Sequence, residues 1–171
     1  MASTKEWSLK HEDLLRILFY NPDTGIFTWQ IDHASVQAGD RAGYLHKGTN
    51  YRRIMINGFA YLEHRLAFFY MIESWPVAEL DHINGESGDN RWINLREATR
   101  QQNNRNVRRR KDNVTGFKGV SPYKGGKFIA RIRVGGKSTF LGSFDTPEAA
   151  SVAYEAAAKE QFGAFFPDKL N

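Results

Sequence analysis

The 171-residue chain contains no cysteine. That excludes disulfides, iron–sulfur clusters, cysteine nucleophiles and any zinc site built on thiolates, so a metal must be held by oxygen and imidazole ligands. No apolar run approaches the roughly 20 residues a membrane-spanning helix needs. The opening Met1-Ala2-Ser3-Thr4-Lys5-Glu6 lacks the apolar core of a signal peptide. The expectation is a soluble, intracellular, cytoplasmic protein with no membrane partner. There is no low-complexity segment and no internal repeat. What is present is a globular composition: 41% hydrophobic, 13% aromatic and 25% charged residues, with 12 Phe, 7 Tyr and 4 Trp available to bury. At roughly 100–200 residues per domain, this is one domain or two small ones.

Charge is unevenly placed. From Arg100 to Lys137 there are twelve Lys/Arg and one acid, Asp112, a local net of +11. Twelve of the 24 basic and eighteen of the 19 acidic residues lie elsewhere, net −6. A basic block beside an acidic remainder is the footprint of a protein that lays one part of itself on a polyanion, with nucleic acid the first candidate. Taken alone, Arg105, Arg108, Arg109, Arg110 and Lys111 fit a solvated helix end equally well, because cations are favourable at a helix C-terminus.

The residue pattern predicts an α+β fold. Asp13 to Phe19 has the leucine spacing of a short helix, broken by Asn21-Pro22-Asp23-Thr24-Gly25. Extended segments follow at 26–29, 43–45, 51–56 and 59–62, with Asn57-Gly58 as a two-residue hairpin turn, so a small antiparallel N-terminal sheet is expected. Glu63 to Ile72 reads as a helix packed on it, ended by Trp75-Pro76. Leu80–Ile83 and Asn94–Ala98 read as strands joined by a polar loop. Thr99 then opens a helix, with Gln102 at capping-box spacing.

After a linker at 112–116, a second unit begins near Phe117. Lys127, Ile129, Arg131 and Arg133 alternate with Phe128, Ala130, Ile132 and Val134, giving one mostly basic and one apolar face. Gly135-Gly136 turns the chain into a second strand, Lys137 to Phe144. Thr146-Pro147-Glu148 starts a helix that runs to about Phe162. Its spacing suggests that Ala149, Val152, Ala153, Ala156, Ala157 and Glu160 dock on a three-stranded antiparallel sheet. The expected organisation is 1–111, linker 112–116, and 117–171.

The residues with chemistry are Asp81, His82, Asn94 and Asn103. In a strand–loop–strand–helix arrangement the first strand and the helix can face one another, bringing a carboxylate and an imidazole to an amide oxygen. A hard cation such as Mg2+ takes oxygen ligands and keeps waters for substrate phosphate to replace, so Asp81 and the Asn103 carbonyl are candidate ligands. His82 then stands as a base able to take a proton from water attacking phosphorus. On spacing alone, a turn dipeptide with loop asparagines explains these residues as well.

The run ELDHINGESGDNRWINLREATRQQNNRN, residues 79–106, resembles HNH nucleases of the homing-endonuclease type. DHING, DNR, NL and the downstream T, N and RN stand in that family's order, and HRLAFFYM at His64–Met71 resembles the segment before its motif. The resemblance implies a ββα-metal core, with His82 as general base, Asp81 and Asn103 as metal ligands, and Asn94 bracing the loop and helping to orient His82. Asn103 in place of a third histidine implies Mg2+ or Mn2+, and the absent cysteines imply no structural zinc. The implied reaction is hydrolysis of DNA, and a single site per chain favours nicking by a monomer. Arg105, Arg108 and Arg109 would meet the phosphate backbone near the cut. His64 reads as a packed or capping histidine.

Phe117–Phe162, with KGV, GKFIARIR, FLGSFDTPEAA and AYEAAA, resembles the Apetala-two/ethylene-response-factor DNA-binding domain. That family lays its three-stranded sheet in the major groove of double-stranded DNA. The resemblance implies that Lys118, Ser121, Arg131, Arg133, Ser138 and Phe140 face DNA, with Lys127 and Lys137 on phosphates. Ser121 and Ser138 replace arginines, and Gly125 a tryptophan, of the plant factors, so their recognition sequence is not carried over. The pairing of units resembles free-standing HNH endonucleases of phage genomes. The alternative is a DNA-binding regulator with a catalytically idle nuclease fold. The first 60 residues offer no named chemistry; they support the site, with Lys47, Arg52 and Arg53 able to extend a DNA track.

Overall fold

The structure, a computed structural model, describes residues 8–32, 35–106 and 113–165, the side chains at 104–106 and 164 excepted. It is mixed α+β and divides into two compact units, 1–103 and 104–171. No described helix is long and apolar enough to cross a membrane.

The first unit opens with helix α1 (His11–Ile17) and the hairpin of β1 (Leu18–Asn21) and β2 (Ile26–Trp29). The helix expected to reach Phe19 stops at Ile17. Leu18 onward pairs in register with Trp29 back to Ile26, and this pairing outweighs the leucine spacing. Strands β3 (Tyr44–Leu45), β4 (Arg52–Ile56) and β5 (Phe59–Leu62) form the expected small antiparallel sheet. Helix α2 (Glu63–Ile72) follows without a break and ends at Glu73, a left-handed C-cap. Leu14, Leu18, Tyr20, Phe27, Ile54, Ile56, Tyr61, Leu66, Ala67 and Phe69 make one core, closed at its edge by Trp75 stacked on Phe69 at 4.2 Å.

Strands β6 (Glu79–His82) and β7 (Leu95–Ala98) pair antiparallel, and helix α3 (Arg100–Asn106) follows. The capping box forms in both directions: Thr99 N donates to Gln102 Oε1 at 2.8 Å, and Gln102 N donates to Thr99 Oγ1 at 3.3 Å. That fixes where the helix leaves the hairpin.

In the second unit β8 (Val120–Pro122), β9 (Phe128–Val134) and β10 (Lys137–Phe144) form a three-stranded antiparallel sheet against α4 (Pro147–Phe162). Thr146 caps α4 by accepting from Ala149 N at 3.2 Å. The docked face overlaps the expected one only in part: Ala153 and Ala157 pack against the core as expected. Ala150, Ser151, Tyr154 and Ala158 are buried, while Ala149, Ala156 and Glu160 are exposed and Val152 is 67% exposed. Alanine lies all round this helix, so small-residue spacing could not choose a face. Tyr154 chooses it, packing where Gly119 leaves room: a Cβ there would come within 2.2 Å of the Tyr154 ring.

Candidate active site

The loop between β6 and β7 is built by its own asparagines. Asn94 Oδ1 accepts from Asn84 N at 3.0 Å, and its Nδ2 donates to Asn84 Oδ1 at 3.0 Å and to the Asp89 carbonyl at 2.7 Å. Each such bond contributes about 0.5–1.5 kcal/mol, so one buried amide holds both ends of the loop. Asp89 in turn takes Nε and Nη2 of Arg91 at 2.8 and 2.6 Å, and the hydrogen bond from Arg91 pulls its carboxyl down to about 2.

Successive side chains of β6 point to opposite faces, and their contacts follow that alternation. On one face Asp81, 3% exposed, pairs in register with Arg96, whose Nε and Nη2 donate to Asp81 Oδ2 at 2.9 and 2.7 Å. Two residues earlier on the strand, exposed Glu79 accepts from Asn103 Nδ2 at 2.9 Å. With its NH2 engaged there, the Asn103 amide has its carbonyl oxygen on the other branch. This face therefore carries the carboxylates of Glu79 and Asp81, the first bonded by the Asn103 amide and the second by the guanidinium of Arg96.

His82 lies on the other face, 5% exposed. Its Nε2 is 2.9 Å from Asn90 Oδ1, and Asn90 Nδ2 donates to Glu63 Oε2 at 3.2 Å. Glu63, fully buried, is ion-paired with Arg52 at 2.9 Å. Tyr51 and His64 wall the imidazole, at ring-centroid distances of 6.0 and 5.1 Å. Burial lowers the His82 pKa against the upward pull of Asn90, Asp81 and Asp89, which favours the neutral ring that a base requires. Burial, with His82 and Arg65 nearby, pushes His64 down to about 3. Burial raises Glu63 against the pull of Arg52.

The hairpin β1–β2 supports this loop from behind. Tyr20 donates its hydroxyl proton to the Asn90 carbonyl at 2.6 Å, and Trp92 N donates to the Pro22 carbonyl at 2.9 Å. Gly25, at φ 70°, lies so close that a Cβ would stand 2.4 Å from Asn90 C and Arg91 N. The opening segment thus has a definite structural task. Arg52, expected on an outer DNA track, is turned inward to Glu63 because a fully buried carboxylate requires a partner. Lys47 is exposed and Arg53 half-buried.

The structure therefore places the sequence-derived residues as follows. Asp81 and His82 are adjacent and buried on opposite faces of one strand end, Asn103 reaches the Asp81 face through Glu79, and Asn94 braces the loop. Asn90 hydrogen-bonds the His82 ring, whereas the Asn94 amide is bonded to Asn84 and Asp89. His64 is packed, as expected. Asn90, Glu63, Glu79 and Arg96 were not singled out from the sequence. Asn90 stood inside the quoted DNR, whereas nothing local marks Glu63, which reads as an ordinary first-turn acid. Arg108 and Arg109, and the side chain of Arg105, lie outside the described residues.

On the second unit, Arg131 pairs with Phe140 and Arg133 with Ser138, all four exposed on one sheet face with Ser121, which pairs with Ile129. Lys127 is exposed but ion-paired with Asp145 at 2.9 Å. Lys118 is half-buried, and burial lowers its pKa. Lys137 pairs with Val134, which sets it on the helix-bearing face at the sheet end and off the arginine face.

Residues 61–105 match the family model for the HNH endonuclease. The matched segment runs from β5 through α2 and the β6–β7 hairpin into α3, and so holds Glu63, His64, Asp81, His82, Asn90, Asn94 and Asn103. It supports a nuclease of the HNH type. No curated protein matches the chain.

Proposed function

We propose that the protein is a metal-dependent DNA endonuclease that nicks duplex DNA, with His82 as general base. The observation that carries this reading is a buried, neutral-favouring imidazole at the end of β6, next to an oxygen-rich face on the same strand, within the segment that matches the HNH endonuclease. Among the described residues no three His, Cys, Asp or Glu side chains form a metal cage. The donors fit a hard cation instead: one carboxylate, Asp81, and the Asn103 amide oxygen, with Glu79 alongside, leave positions for substrate oxygens. Asp81 and Asn103 would hold Mg2+ or Mn2+, which when bound stabilises charge on the phosphate and the leaving oxygen. No zinc is required.

In this reading His82 accepts a proton from the attacking water, the water oxygen bonds to phosphorus, and the bond to the 3′ oxygen breaks. Asn94 keeps the loop in place during the step. The exposed face carrying Arg131, Arg133, Ser138 and Phe140, with Ser121 beside it and Lys127 at its edge, lies on duplex DNA in the manner of the Apetala-two/ethylene-response-factor domain. Arg105, Arg108, Arg109 and Lys118 serve as backbone contacts, and the protein works as a monomer inside the cell. Cleavage of end-labelled duplex, resolved by strand on a denaturing gel with Mg2+, Mn2+ or EDTA, tests this. Metal-dependent scission of one strand is expected; scission of both would correct the nicking assignment.

One observation favours a second reading, a DNA-binding regulator with an idle nuclease fold: the Asp81 carboxylate is bound by two nitrogens of Arg96. DNA binding without cleavage in any metal supports that reading.

A further inference from the structure

We infer that Asn90 and Glu63 are positioning residues for His82, fixing its ring in one orientation and one tautomer with the proton on Nε2. The inference rests on the reading of His82 as the base and names what sets it. A side-chain amide can present either its oxygen or its NH2 to a neighbour, and an imidazole nitrogen can donate or accept. Asn90 and His82 alone would leave two arrangements open.

Glu63 removes the choice. Its Oε2 stands 3.2 Å from Asn90 Nδ2 and accepts there, so the Asn90 NH2 is spent on Glu63 and Oδ1 is the atom that faces His82. An oxygen with no hydrogen of its own, 2.9 Å from Nε2, requires Nε2 to donate. Glu63 is itself held, fully buried beside Arg52 and at the N-terminus of α2. Asn90 is 2% exposed, with its backbone carbonyl fixed by Tyr20 and the Gly25 turn packed against it. The chain Arg52–Glu63–Asn90–His82 therefore connects the middle strand of the small sheet, the helix and the loop to one ring nitrogen.

In a neutral imidazole with its proton on Nε2, the basic nitrogen is Nδ1. The proton removed from water then goes to Nδ1, and the resulting imidazolium keeps its Nε2–H bond to an amide polarised by a carboxylate. Loss of either positioning residue should slow the chemical step and leave DNA affinity alone. That signature separates positioning from a contribution to DNA binding.

The test uses the full chain labelled with 15N. Two-bond 1H–15N correlation of the His82 ring, recorded above the ordinary histidine titration range, should show a protonated Nε2 and an unprotonated Nδ1 in the wild type. Asn90→Leu and Glu63→Gln should each give a tautomer mixture, and should lower the single-turnover nicking rate at saturating DNA at least tenfold with Kd unchanged. A wild-type ring protonated on Nδ1 overturns the inference whether or not the variants fold. So do variants that keep both the wild-type tautomer and the wild-type rate. Undiminished cleavage by His82→Ala would instead overturn the base assignment, while the ring measurement would still decide the tautomer.

Discussion

Arg96 stands directly across the β6–β7 ladder from Asp81 and gives it two hydrogen bonds, at 2.9 and 2.7 Å, on a side chain only 4% exposed. The same carboxylate is the proposed metal ligand, so guanidinium and cation draw on one group. Arg96→Leu removes two charge-assisted bonds, a loss of about 1.5–3 kcal/mol in stability. Mg2+ should recover part of that loss in the variant and little in the wild type, as read by urea denaturation with and without the metal. Equal metal response in both proteins would speak against Asp81 as a ligand.

Gly25 ties the opening hairpin to the His82 loop. Gly25→Ala puts a Cβ 2.4 Å from the backbone of Asn90 and Arg91 at a positive φ, so the loop must shift. A destabilisation of more than about 1 kcal/mol is expected, with a fall in nicking rate. Denaturation and cleavage measured on the same preparation check it. Normal cleavage in a destabilised variant would separate this hairpin from the site.

Burial of the neutral His64 ring should make the fold acid-sensitive. Its folded pKa, pushed down to about 3, lies below the ordinary 6.5, so the unfolded chain binds a proton first. Its contribution is full above the ordinary value and is lost as pH falls from there toward 3. His64→Phe should flatten the decline of the urea midpoint across that window. An unchanged decline would place the acid sensitivity elsewhere.

Sheet register separates the basic residues of the second unit. Arg131 and Arg133 share the exposed face with Phe140 and Ser138, whereas Lys137 pairs with Val134. Arg131→Ala and Arg133→Ala should each weaken DNA binding and, where they contact phosphate, lower the salt-dependence slope by about one. Lys137→Ala should do less. Gel shifts across a salt series decide this, and an equal loss from Lys137→Ala would contradict a single DNA face.

Where local rules governed, the sequence was readable. Helix α2, the Thr99–Gln102 capping box, the Thr146 cap and the alternation of β9 follow from residues within a few positions of one another. The bracing role of Asn94 also lay in its motif. What was not legible depends on contacts distant in the chain. Leu18 joined a strand because Trp29 pairs with it, and α4 turned on Tyr154 because Gly119 admits that ring. Asn90 and Glu63 are 27 positions apart and meet only when α2 packs beside the loop. Burial of Glu63 likewise drew Arg52 inward from the outer surface.

The central claim is that His82 is the base of a metal-dependent DNA nuclease, and conversion of supercoiled plasmid tests it most directly. Wild type and His82→Ala are compared at equal DNA occupancy, judged by gel shift, with Mg2+, Mn2+ or EDTA. The account predicts open circles with metal, none with EDTA, and at least a hundredfold loss in His82→Ala, within the usual range of about 10²–10⁴ for a general base. Tight, salt-sensitive binding with no cleavage in any metal, or full activity of His82→Ala, would contradict it.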